Sequence, residues 1–126
     1  FYKYIIVVFD ENPTLDICSF GALPILGTQI PISASVILPP FKAALDAGVS
    51  TFMNAFNTLN EVPATGSKFL QRDILKGDWG FEGFVVSDWG SLREMMDHGY
   101  AKDRKHAGEL ALNAGSDMDM ESHLYV

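Results

Sequence analysis

The chain has 126 residues, of which 48% are hydrophobic and 20% are charged, a composition that fits one globular domain at most and excludes general disorder. Its formal net charge of −7 excludes nucleic acid and anionic membranes as favoured partners, because both require a basic face, and an uncharged substrate fits better. The single cysteine, Cys18, excludes an intramolecular disulfide framework and a thiolate zinc site.

The first 36 residues have no sustained hydrophobic period. Residues 1–9 are an aromatic and β-branched run with Lys3 as its only charge, which predicts a buried strand. The run is too short to span a bilayer and no small-residue cleavage site follows it, so it predicts neither a transmembrane helix nor a signal peptide. Glycine and proline recur at 21–31, which predicts irregular chain. Because Phe1 is not methionine, we expect the sequence to begin inside a longer protein.

From residue 36 onward, helical periodicity alternates with short apolar runs. The pattern predicts helices over 37–47, 68–76, 92–96 and 103–113, and strands over 49–55, 84–87 and 117–120. Gly48, Gly77 and Gly115 are the predicted helix stops. A helix end, a glycine and a strand start recur at 44–48 and 111–115, which indicates successive βα units. Such units build a parallel sheet that is either an open doubly wound sheet or a closed barrel.

The run GFEGFVVSDWGS at 80–91 places a carboxylate directly after an apolar strand. Asp88 is therefore expected at the carboxyl end of a parallel strand, where barrels and open sheets bind their ligands. The alternative is a helix N-cap, a role that Ser87 or Ser91 could fill equally well. Trp89 can stack on the apolar face of a sugar ring, and the alternative is a partly buried core tryptophan.

Residues 53–60 follow the preceding strand and are expected at the same edge of the sheet. Asn54 and Asn57 offer amide groups that suit hydroxyl ligands, and Phe56 offers a ring face. Asn60 is typical of a turn.

A second acidic pair, Asp117 and Asp119, has the Asp-x-Asp spacing that holds Mg²⁺ or Mn²⁺ in some transferases. The alternative is ordinary strand spacing, because residues i and i+2 of any strand point to the same side. The three histidines, His98, His106 and His123, lack metal-ligand spacing and are interpreted as surface residues.

Three motifs together resemble the family 3 glycoside hydrolases, especially the periplasmic β-glucosidases of bacteria. They are NTLN at 57–60, VPA at 62–64 and WGFEGFVVSDW at 79–89, and the resemblance covers about 37–126. It implies an α/β fold that is part of a (β/α)8 TIM-type barrel, with roughly three βα units present. Residues 1–36 stand apart as an atypical segment, of foreign or misread origin.

The resemblance also implies a retaining β-glucosidase that hydrolyses terminal β-D-glucosyl residues. Asp88 would be the catalytic nucleophile, and Trp89 and Phe56 would line the sugar site. No metal or other cofactor is implied, the partner would be a small β-glucoside or oligosaccharide, and the location would be periplasmic or secreted. Because an attacking carboxylate must be ionised, the pKa of Asp88 is expected to stay low.

Two departures from the family pattern limit the expected activity. Glu61 stands where the family has glycine, which predicts a different or strained turn. The Lys-His pair expected in the first segment is missing, and the general acid/base is expected beyond Val126. The sequence therefore predicts a fragment that needs the rest of its parent to fold. The alternatives are a catalytically inert barrel fragment and a metal-dependent glycosyltransferase that uses Asp117 and Asp119.

Overall fold

The computed structural model describes residues 38–126, so the predictions for residues 1–36 lie outside the described residues. The helices are α1 (Leu38–Asp46), α2 (Ser91–Asp97), α3 (Arg104–Ala114), a 3-10 helix (Ala64–Gly66) and a π-helix (Phe69–Asp78). The strands are β1 (Thr51–Met53), β2 (Thr58–Leu59), β3 (Val62–Pro63) and β4 (Phe84–Val86). The four predicted helices and the strands predicted at 49–55 and 84–87 are confirmed in order, and α1, β1 and β4 are shorter than predicted.

The main sheet is parallel, as the repeated βα units indicate. β1 pairs with β4, with Phe52 opposite Val85, and Val86 forms an isolated parallel bridge to Met118. The predicted strand at 117–120 is therefore wrong beyond that bridge, because the Asp119 side chain binds the backbone that follows and turns the chain away. The described residues form an open α/β unit rather than a closed barrel.

Two hydrophobic clusters hold the unit together. The first joins β1, β4 and the π-helix and consists of Val49, Phe52, Leu75, Phe81 and Val85. Within it the rings of Phe52 and Phe81 meet edge to face, with centroids 5.0 Å apart. The second packs α2 against α3 through Leu92, Met95, Ala101, Ala107 and Ala111. The first cluster fixes the strands that carry the site, and the second fixes the helix that follows it.

The helix predicted at 68–76 is a π-helix, and its faces differ from the prediction. Gln71, assigned to the polar side, is buried, whereas Phe69, assigned to the apolar side, is 55% exposed. Backbone bonds from residue i to i+5 widen each turn, so the side chains no longer follow a 3.6-residue period. Gly77 also fails to end the helix, which runs to Asp78 before Gly80 adopts a left-handed φ of 68°.

Gly83 in the GFEG motif allows β4 to approach β1. A Cβ atom there would lie 2.2 Å from the Ser50 carbonyl oxygen and 2.5 Å from the Phe81 ring. Only glycine fits such an approach without moving backbone. The motif therefore serves the packing that brings the end of β4 beside the end of β1.

An antiparallel hairpin that the sequence did not predict lies between β1 and the π-helix. β2 pairs with β3, and the turn between them is Asn60 and Glu61, with φ values of 51° and 68°. Two consecutive left-handed residues are the backbone of a type I′ turn. Asn60 is thus a turn residue, as predicted. Glu61 carries the strain expected where glycine would be relaxed.

Candidate active site

Asp88 follows β4 directly and is almost completely buried, with 5% of its surface exposed. Its Oδ1 accepts a hydrogen bond from the Trp89 backbone N–H at 2.7 Å. Its Oδ2 is also buried and has no hydrogen-bond partner within residues 38–126. The N-cap interpretation is wrong, because Gly90 is the N-cap of α2 and no side chain caps that helix. Within the described residues, one oxygen of this carboxylate therefore makes no hydrogen bond.

Burial raises the pKa of Asp88 above its usual range, and the Trp89 N–H partly opposes this rise. The expectation of a low pKa is therefore wrong. Desolvation disfavours the charged carboxylate, and a single backbone donor offsets only part of that cost. A buried carboxyl group with a perturbed pKa in this position is typical of a functional site.

The two tryptophans occupy different environments. Trp89 is 61% exposed, so the interpretation as a core tryptophan is wrong and its ring face is open. Trp79 is half-buried and packs against the first hydrophobic cluster. Phe56 and Asn57 are half-buried in the loop after β1, and the side-chain oxygen of Asn57 is buried without a partner within the described range.

Asn54 extends the pairing of β1 with β4, since its backbone N–H donates to the Val86 carbonyl oxygen at 3.0 Å. Its side chain is 7% exposed, and its Nδ2 donates to Ser116 Oγ at 3.1 Å and to Gln71 Oε1 at 3.5 Å. The side-chain NH₂ group of Asn54, which the sequence predicts to bind a hydroxyl ligand, therefore donates to protein groups instead.

The side-chain oxygen of Asn54, Oδ1, is occupied as well. It accepts from Thr65 Oγ1 at 2.9 Å, from the Asp88 backbone N–H at 3.4 Å and from Ser91 Oγ at 3.5 Å. Sequence reasoning missed Thr65, Gln71 and Ser116 and considered Ser91 only as a cap. No local pattern marks these residues, because their partners are distant along the chain.

Ser87 ties Asp88 to the next segment of the sheet. Its Oγ donates to the Asp88 carbonyl oxygen at 3.0 Å and accepts from the Met120 backbone N–H at 2.8 Å. Its own backbone N–H donates to the Met118 carbonyl oxygen at 2.8 Å. The backbone on both sides of the candidate carboxylate is therefore held by neighbouring elements.

The carboxylates of Asp117 and Asp119 are used by the fold. Asp117 Oδ2 accepts from the Val85 backbone N–H at 2.8 Å and from Lys76 Nζ at 2.5 Å. Asp119 accepts from the Ser122 backbone N–H at 3.1 Å and from the Leu124 N–H at 2.7 Å. Within residues 38–126, no group of three or more His, Cys, Asp or Glu side chains could hold a metal ion. These contacts favour the structural interpretation of the pair.

Asp88 lies at the carboxyl end of a parallel strand, the position at which α/β enzymes bind their ligands. Residues 29–126 match the model of the family described as the glycosyl hydrolase family 3 N terminal domain. The chain belongs to this family. The match begins at residue 29, inside the segment 1–36 that the motifs set apart as atypical and of foreign or misread origin.

Relatives that are named as glycosidases share the matched region. The chain is 47% identical over 88 residues to a periplasmic beta-glucosidase of Salmonella typhimurium, which covers 70% of this chain and 12% of that protein. It is 41% identical over 87 residues to an exo-1,4-beta-xylosidase of Emericella nidulans, which covers 65% of this chain and 11% of the relative. The chain thus spans about an eighth of the length of these relatives.

The fold agrees with solved structures of similar proteins. A beta-glucosidase from Listeria innocua in complex with glucose superposes with a TM-score of 0.69 at 41% identity, over 70% of this chain and 12% of that one. Among the helices within residues 38–126, none is long and apolar enough to cross a membrane.

Proposed function

We propose that Asp88 is the nucleophile of a retaining β-glycosidase that acts on terminal β-D-glucosyl residues. The observation that carries the proposal is the free Oδ2 atom of Asp88, buried at the end of β4 beside an exposed tryptophan. Trp89 N–H stabilises negative charge on Oδ1, which leaves Oδ2 as the attacking atom. Family membership and the β-glucosidases among the relatives support this choice of reaction.

The reaction proceeds in two displacements at the anomeric carbon. Oδ2 forms a bond to that carbon while the bond to the leaving-group oxygen breaks and a general acid protonates that oxygen. Water then attacks the same carbon, the ester to Asp88 breaks, and the proton of the water passes to the group that acted as the acid. Two inversions restore the β configuration.

Trp89 and Phe56 are proposed to line the sugar site. An aromatic ring can pack on the C–H face of a pyranose while the hydroxyl groups keep their polar partners. The partner would be a small β-glucoside or oligosaccharide, and two similar structures of the Listeria innocua enzyme hold glucose or laminaribiose. A β-xyloside is the second candidate, because several relatives are β-xylosidases.

We infer that the general acid and the remaining strands of a (β/α)8 barrel come from chain outside residues 38–126. The chain covers 12% of its relatives, and the strand pair β1–β4 leaves backbone edges that other strands would have to pair. General acid assistance is worth about a hundred- to ten-thousandfold in rate. The described residues alone should thus react only with activated glycosides.

We propose a periplasmic or secreted location, because the Salmonella relative is named as a periplasmic enzyme.

Trapping with a 2-fluoro-β-glucoside that carries a dinitrophenolate leaving group tests the proposal, because this leaving group needs no protonation. We expect a covalent adduct on the peptide that contains Asp88, without added metal, and no adduct in Asp88→Asn. The matched 2-fluoro-β-xyloside decides between the two sugars. An adduct on a different residue would refute the nucleophile assignment. Absence of an adduct with intact secondary structure would favour the inert fragment, and manganese-dependent sugar transfer would favour the transferase.

A further inference from the structure

A buried polar cluster lies between the end of β1 and Asp88, and we call it the amide cluster. It is built from buried side chains that each share a hydrogen bond with at least one other member: Asn54, Thr65, Gln71, Ser91 and Ser116. They come from five separate parts of the chain, so the cluster joins the loop after β1, the 3-10 helix, the π-helix, α2 and the short segment between α3 and Met118. A saturated network of this kind fixes the positions of its members.

Gln71 sets the direction of the hydrogen bonds in the amide cluster. Its Nε2 donates to the carbonyl oxygens of Ala64 and Thr65, both at 2.9 Å. Both donors are then used, and its Oε1 faces Asn54. Because a carbonyl oxygen can only accept, the amide nitrogen of Asn54 must be the group that meets it.

The orientation of Asn54 follows from that contact. With Nδ2 directed at Gln71 and Ser116, Oδ1 is directed at the Asp88 backbone N–H, at 3.4 Å. The bond is long, but the reversed amide would place two donors against each other at Asp88 and two acceptors against each other at Gln71. The backbone carbonyl oxygen of Asp88 is also held, because it accepts from the Ser91 N–H at 3.1 Å.

We infer that Asn54, oriented by Gln71, is a positioning residue for Asp88. It holds the Asp88 backbone so that Oδ1 meets the Trp89 N–H and Oδ2 stays free. The catalytic meaning of this role rests on the proposed function, whereas the backbone contact itself does not. The hydrogen bond between the two residues uses the Asp88 backbone N–H, so Asn54 acts on the reaction through the placement of the carboxylate.

The test compares wild type with Asn54→Ala, which removes the acceptor, and Asn54→Asp, which keeps an oxygen in its place. Ala107→Gly is the control, because this buried helix residue of α3 destabilises the fold without touching the amide cluster. The probe is the 2-fluoro-β-glucoside with a dinitrophenolate leaving group. The rate constant of covalent labelling and the inhibitor's dissociation constant are measured separately, each per folded molecule.

We expect Asn54→Ala to lower the labelling rate constant by about tenfold to a hundredfold, because a misplacement of about 1 Å has that effect, with the dissociation constant little changed. Asn54→Asp should recover part of the rate and shift the pH profile to higher pH, since a second negative charge raises the pKa of Asp88. Ala107→Gly should reduce only the folded fraction. The inference is overturned if Asn54→Ala behaves like Ala107→Gly.

Hydrogen exchange of the Asp88 backbone amide separates this inference from the proposed function. If wild type takes no label, the proposed function has failed, and the amide then decides the positioning role on its own. It should exchange faster in Asn54→Ala than in Ala107→Gly of equal global stability, and equal rates would overturn the inference. If Asn54→Ala does not fold, Asn54→Ser takes its place, because its shorter side chain also loses the bond to the Asp88 N–H, and an exchange rate equal to that of Ala107→Gly would overturn the inference.

Discussion

Two aspartates follow neighbouring parallel segments of one sheet, but their carboxylates differ in how many hydrogen bonds they accept. Asp119 comes after the Met118 bridge, and each of its oxygens accepts a backbone N–H. Asp88 comes after β4, and among residues 38–126 a donor reaches only one of its oxygens. Position at the carboxyl end of a strand is common to both, so the donors that surround each carboxylate make the difference.

The backbone that follows each aspartate explains the difference. After Asp119 the chain folds back, with Glu121 and His123 at positive φ, and directs the amides of Ser122 and Leu124 at the carboxylate. After Asp88, Gly90 turns at a φ of 71° and leads into α2. No backbone amide of that helix, or of any other described residue, donates to Oδ2. A carboxylate oxygen that makes no hydrogen bond within the fold remains available to react with a substrate.

The largest expected effect is on covalent labelling. Asp88→Asn should abolish labelling by the activated fluoroglucoside, because a neutral amide cannot form the glycosyl ester. Asp119→Asn should keep the rate constant of wild type when it is expressed per folded molecule. Intact mass spectrometry over a time course measures both. Equal loss in the two variants would remove the distinction between the two carboxylates.

Gly83→Ala should cost about 3 kcal/mol in the free energy of unfolding, since its methyl group would overlap the Ser50 backbone and the Phe81 ring. The change would separate β4 from β1 and expose Asp88. Gly99→Ala is the control, because Gly99 has a φ of 70° and open space around it, so only backbone strain of about 1 kcal/mol applies. Urea unfolding measures both. A smaller cost for Gly83→Ala than for Gly99→Ala would show that the close approach is not needed.

Asp119→Asn should destabilise the fold by about 2 kcal/mol, because the new NH₂ group cannot accept and leaves a backbone N–H without its partner. The measurement is again the free energy of unfolding, at neutral pH. An unchanged stability would mean that the Asp119 carboxylate is as free as that of Asp88, and the contrast between the two would fail.

Asp88→Asn should have the opposite and smaller effect, a gain in stability at neutral pH. The folded chain holds the Asp88 proton to a higher pH than the unfolded chain, because burial raises the pKa. Asp88 therefore reduces stability as pH rises through the window between the unfolded pKa, about 3.9, and the raised folded pKa. The gain in the variant should appear across this window and vanish below it. A loss of stability at neutral pH would contradict the predicted sign.

Local signals were sufficient to predict the framework of the site. An apolar run followed by Asp88 predicted a strand end, and Gly115 predicted the end of α3, where it is the left-handed C-cap. Such features depend on a few adjacent residues, so a single sequence carries them. The nucleophile assignment came from the resemblance to the family, since the position of Asp88 alone left the N-cap alternative open.

The support beneath Asp88 could not be predicted in the same way. Gln71 lies on the polar side of an α-helical pattern and becomes buried only because the helix is a π-helix. Asn54 looked like a ligand for hydroxyl groups, whereas Ser116, 62 residues away, takes one of its hydrogens. Hydrogen bonds between distant residues have no sequence period, so only the folded arrangement shows them.

The central claim is that the free Oδ2 of Asp88 is the atom that attacks the sugar, and the structure of the trapped adduct tests it most directly. The crystal structure of the protein labelled with the fluoroglucoside should show a bond between Asp88 Oδ2 and the anomeric carbon, with Oδ1 still accepting from the Trp89 N–H. A sugar bound to Oδ1, or to a different carboxylate such as Asp119, would contradict the claim.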